Sequence, residues 1–150
     1  MKRFQFSLQS VLKVKRAQEK QQIAELTECN ARIREFERLL EELFSEERAQ
    51  NERYRQELEE GITPLYMMFW RWAQMAVRDK IEYRKKVLEE AEGERQRIET
   101  ALVAVMRERK VLERLREKEW EEYRAEQQRE SAAELAEFMG HSVFTTHEGV

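Results

Sequence analysis

The chain has 150 residues, 39% of them charged, with one proline, four glycines and a formal net charge of -3. So few turn formers exclude a compact globule that folds back repeatedly on one core, and near-neutral charge excludes a polyanion binder recognised by global charge alone. A turn-poor composition rich in Glu, Arg, Lys, Gln, Ala and Leu reads as long helix or coiled coil.

The opening MKRFQFSLQSVLKVKRAQEK has early charges and lacks a continuous apolar centre, so it does not read as a secretory signal. Its pattern runs into a first helix expected over about residues 4–60. With Leu26 at heptad position a, the a and d positions are Leu26, Cys29, Ile33, Phe36, Leu40 and Leu43. The same register reaches back to Leu12 and Leu8 and on to Tyr54. Residues alternately three and four apart form one helix stripe, which must be buried against another helix. Lys15, Glu19, Gln22, Glu47 and Gln50 interrupt that stripe. Lys13, Lys15 and Arg16 read either as a solvated basic face or as a dock for an acidic protein rim.

A turn is expected at residues 61–64. Gly61 suits a left-handed helix end, Thr63 suits an N-cap, and Pro64 suits the first helical position. So short a connection predicts an antiparallel hairpin. The second helix is expected over about 65–139, with Val77, Ile81, Leu88, Ala91, Ile98, Leu102, Val105 and Leu112 in one register. Arg84, Arg95, Arg109 and Arg116 share it, their stems covering apolar surface. Leu115, Trp120 and Tyr123 break strict phase, which predicts a register shift there. The fold class is therefore all-α: a two-helix antiparallel coiled-coil hairpin over 1–139 with a longer second helix, then a flexible tail over 140–150. The longer second leg is expected to overhang, from about Trp120 to Phe138, past the start of the first.

Leu65 to Val77, LYMMFWRWAQMAV, is apolar around the whole helix circumference. Its rings either close the hairpin end against Leu58 and Ile62 or form an exposed patch for a protein partner. No site for catalysis, cofactor or metal is expected. His141 and His147 lack the convergent ligands a zinc ion needs. Cys29 sits on the seam as a small hydrophobe, with no histidine in the helical body to activate it. Glu28 with Arg32 and Glu82 with Lys86 have the spacing of surface ion pairs. No zinc-finger, recognition-helix or stacking-sheet pattern supports nucleic-acid binding, and no apolar run approaches membrane-spanning length. The single cysteine fits a reducing compartment and a cytoplasmic location.

Two blocks resemble a known family. FQFSLQSVLKVKRAQEK, with Phe6, Leu8, Val11, Leu12 and Arg16, is similar to the start of the flagellar export protein FliJ family. KVLERLREKEWEEYRAEQQRESAAELAEF, Lys110 to Phe138, resembles its other recognisable block, although AELAEF stands where many members carry an acidic residue in the motif's second half. The resemblance implies a cytoplasmic component of the flagellar type III export apparatus, peripherally associated with the inner membrane. It implies a hairpin like the central stalk of rotary ATPases, which promotes assembly and activity of the export ATPase hexamer and links it to the cytoplasmic domain of the export gate. Export chaperones are further implied partners. Carried onto this sequence, Leu8, Val11, Lys15, Arg16, Trp120 and Tyr123 would contact the ATPase ring, and Tyr54, Phe69, Trp72 and Val77 the gate. The competing readings are a self-associating structural coiled coil, a stalk of a virulence-type secretion system, and a membrane-surface protein using its basic N-terminal helix or aromatic tip.

Overall fold

The computed structural model describes residues 2–148, with side chains through Val143. It contains two helices, α1 (Gln9–Glu60) and α2 (Pro64–Glu148). They have 52 and 85 residues and pack against each other as an antiparallel hairpin. The chain divides into a turn unit, residues 20–103, and a terminal unit, residues 1–19 and 104–150.

In the turn unit the reversal is built as its residue types dictate. α1 ends at Glu60, and Gly61 takes φ 91°, a left-handed conformation that costs glycine little. The Thr63 hydroxyl accepts a hydrogen bond from Tyr66 N–H at 3.3 Å, and the Thr63 carbonyl accepts one from Met67 N–H at 3.1 Å. Thr63 is thus a working N-cap, with Pro64 at a position that needs no donor. Antiparallel order follows from the cross-helix pairs: Arg32 with Glu94, Glu47 with Arg78, Asn51 with Gln74, and Glu57 with Trp70.

The turn-unit seam holds two apolar clusters. Leu40, Val77 and Ile81 are buried together, flanked by Leu43, Phe44 and Leu88. Cys29, Ile33 and Ala91 form the second, flanked by Phe36, Leu88 and Ile98. The α1 heptad positions from Gln22 through Glu57 are all buried or half-buried, and so are Gln74, Arg84 and Arg95 on α2. The polar interruptions are part of this seam. Glu47 faces Arg78 at 3.5 Å. Gln22 and Gln50 each leave a buried side-chain oxygen without a hydrogen-bond partner among the described residues. Such polar seam positions lower stability but penalise slipped pairings.

Phe6, Leu12 and Leu112 make the core of the terminal unit, with Phe4 packed on it. Here α1 starts later than the expected residue 4: residues 2–6 are non-helical, with Phe4 and Phe6 packed into the core of this unit. Ser7 donates from its backbone N–H (3.2 Å) and its hydroxyl (2.6 Å) to the Glu119 carboxylate. The Tyr123 hydroxyl donates to the Lys2 carbonyl at 2.5 Å. Anchored at both points, the segment cannot wind into the helix. No phase shift is needed near residue 115 either. Glu119 and Tyr123 are half-buried at the positions that continue the register of Leu112, while Leu115 is exposed.

Three further expectations are corrected. Arg32 pairs across the seam with Glu94 rather than with Glu28, and Glu82 pairs with Lys85 rather than Lys86. α2 runs through Gly140 to Glu148, past the expected end at Met139. Gly140 costs a helix about 1 kcal/mol, which does not by itself end one. The side chain of His147 and residues 149–150 lie outside the described residues.

Candidate partner-binding surfaces

On a two-helix seam, one side of each helix is spent on the other. A partner surface must be built from apolar groups left over on the outer faces, and each unit has such a set.

In the turn unit the apolar run at the start of α2 divides its work. Trp70 is 6% exposed, and its indole N–H donates to Glu57 Oε2 at 2.6 Å. Tyr54 lies 5.7 Å from the Trp70 ring centroid, and Tyr66 meets the ring edge-on at 6.4 Å. These rings close the hairpin end. Leu65, Met68, Phe69, Trp72 and Met75 point outward, with Leu65 78% and Trp72 65% exposed. The segment is therefore split: Tyr66 and Trp70 close the end against Tyr54 and Glu57, and the outward apolar side chains form an exposed patch. Of the gate candidates, Phe69 and Trp72 are exposed, and Tyr54 is half-buried against Trp70. Val77 must be withdrawn as a surface contact: it is 4% exposed and packs in the cluster of Leu40 and Ile81.

In the terminal unit Leu8, Val11, Val111 and Leu115 are exposed. Val11, Lys15, Val111 and Leu112 border a shallow groove of about 410 Å³. The basic face reads differently once its partners are seen. Lys15 pairs with Glu108 at 2.5 Å and Arg16 with Glu113 at 3.4 Å, so much of their charge is answered within the hairpin. Trp120 and Tyr123 do not belong to an overhang. Phe4 packs edge-on to Trp120 at 5.1 Å and tilted to Tyr123 at 5.5 Å, and Arg116 sits 5.5 Å over the Phe4 ring. Beyond Tyr123, Leu135, Phe138, Met139 and Val143 are exposed on α2. The role of Phe4 was missed from sequence, since its partners lie more than a hundred residues away and no periodicity connects them.

The terminal unit also contains the one strongly networked seam cation among the described residues. Arg109 pairs with Glu19 across the seam and with Glu113 on its own helix at 2.9 Å. The Arg109 hydrogen bond, aided by Arg16, holds the Glu113 carboxyl below its ordinary value of 4.5. A carboxylate depressed by folding stabilises above its unfolded pKa, and that contribution is lost as pH falls through the folded value. Arg109→Gln should therefore move the Glu113 titration back up, as read by carboxyl-carbon NMR. The Tm gap between wild type and variant should shrink as pH drops below about 4.5. A gap that stays constant from pH 7 to 3 would contradict the assignment.

Among the described residues no cluster of three or more His, Cys, Asp or Glu is placed to hold a metal ion, and no helix is long and apolar enough to cross a membrane. No curated protein and no solved structure matches the chain. The family model described as Flagellar FliJ protein matches residues 4–146, almost the whole length. The chain belongs to the FliJ family, whose members are non-enzymatic structural and coupling components of flagellar protein export.

Proposed function

We propose that this chain is the central-stalk component of the flagellar type III export apparatus, promoting assembly and activity of the export ATPase ring and coupling it to the export gate. The family match over residues 4–146 carries the reading. The exposed apolar residues supply its chemistry. Leu8, Val11, Lys15 and Arg16, with Trp120 and Tyr123 beside them, engage the ATPase ring. Arg16 can exchange its internal carboxylate for an acidic group on a ring at little cost, because an exposed ion pair is worth no more than about 1 kcal/mol. Phe69 and Trp72, supported by Tyr54, face the cytoplasmic domain of the gate. Through that contact the protein is held at the inner membrane without a spanning segment, and export chaperones are handled from the same apparatus.

Titrating the full chain into the homologous export ATPase should raise ATP hydrolysis and shift the ATPase toward its ring form in sedimentation. Val11→Glu places a charge on an exposed apolar site and should weaken both effects while leaving helicity intact. Neither binding nor stimulation at micromolar concentration would remove the ATPase half of the proposal. A tight homodimer in the same sedimentation run would favour the self-associating coiled coil instead.

A further inference from the structure

The first turns of α2 carry a second heptad seam. Leu65, Met68, Trp72 and Met75 follow one another at spacings of three, four and three, the a/d rhythm of a coiled coil, and all are exposed. Trp70 and Val77, which face α1, are buried. At 100° per residue the exposed set lies on the face opposite them. The stripe stops at Asp79, its next position, after about three turns. An exposed apolar stripe of this regularity matches one occupant geometry, a short amphipathic helix laid alongside.

Charge decides which helix. With Leu65 and Trp72 at position a, Arg71 and Arg78 both fall at position g and so flank one edge of the seam. Between Gly61 and Arg78 there is no acidic residue. Arg71 has no ion-pair partner among the described residues, whereas Arg78 shares Glu47 at 3.5 Å. Together with Met75 they border a groove of about 420 Å³ whose lining also includes Glu47, the partner of Arg78, and Asp79 at the end of the stripe, so Arg71 is the cation left to meet a partner there. A second copy of this stripe is a poor occupant. Antiparallel pairing sets position g against g, hence Arg against Arg, and parallel pairing sets Arg71 against an e position held by Phe69 or Ala76. We propose that Leu65, Met68, Trp72 and Met75 form a docking seam for a short amphipathic helix of a partner protein, with acidic residues along the edge that meets Arg71. The inference deepens the turn-side half of the proposed function and rests on it only for which protein carries that helix.

The test titrates the full-length chain against two fluorescein-labelled helical peptides of about three heptads, with Leu at a and d and either Glu or Lys at e and g. Anisotropy should show the Glu peptide binding about tenfold more tightly than the Lys peptide at low salt. Trp72→Ala should abolish binding of both, and Arg71→Glu should narrow or reverse the preference, with circular dichroism unchanged. Equal binding of the two peptides, or binding indifferent to Trp72, would overturn the inference. So would a homodimer dissolved by Trp72→Ala, or adsorption to anionic vesicles lost in that variant. The cytoplasmic portion of the homologous gate, assayed in parallel, separates the two claims. Peptide discrimination with gate binding indifferent to Trp72 leaves the seam standing and sinks the gate assignment. Gate binding through Trp72 without peptide discrimination does the reverse.

Discussion

Ile81→Ala should lower the unfolding free energy by about 2–5 kcal/mol, the range for emptying a buried aliphatic site that collapses only partly. Ile81 has no exposed surface and packs with Leu40 and Val77 in the turn unit. A hairpin of two helices has few other layers to share the loss, so the urea midpoint should fall steeply while the slope stays constant. Leu65→Ala removes a similar side chain from an exposed site on the same helix and should change stability by no more than about 0.5 kcal/mol. Equal effects of the two substitutions would mean that the seam does not run where Leu40 and Ile81 place it.

Trp70→Ala should cost about 3–5 kcal/mol, the range for truncating a buried aromatic. The indole fills the space between Tyr54 and Tyr66 and gives Glu57 a hydrogen bond. Trp70→Phe keeps a ring and removes the donor, so its cost should be nearer 1–3 kcal/mol. Native-state hydrogen exchange should localise the damage, with amides near residues 54–74 opening first and those around Ile33 and Ala91 protected as in wild type. Trp72→Ala, two positions along and facing out, should leave that exchange pattern unchanged.

The seam was legible because helical periodicity is a local property. Leu12, Leu26, Cys29, Ile33, Phe36 and Leu40 announce their shared face by spacing alone, and each is buried or half-buried. The turn was legible for a similar reason, since Gly61, Thr63 and Pro64 have residue-specific backbone chemistry. What escaped the sequence was long-range pairing. Nothing local links Ser7 to Glu119 or Phe4 to Trp120, so an N-terminal segment pinned in a non-helical form read as the start of a helix. Polar seam residues carried the same ambiguity. Lys15 and Glu19 look like defects until Glu108 and Arg109 are found opposite. Val77 shows the converse: it lies in the aromatic run that suggests a surface, yet its register position commits it to the core.

Everything rests on α1 and α2 lying side by side in antiparallel order. Spin labels replacing Arg32 and Glu94, whose side chains meet at 3.5 Å, measure that directly when labelled chain is diluted with unlabelled chain. Antiparallel packing gives a short separation, set by adjacent helix axes about 8–10 Å apart plus the label arms. A separation approaching the roughly 90 Å expected if the intervening residues continued as one straight helix would contradict it.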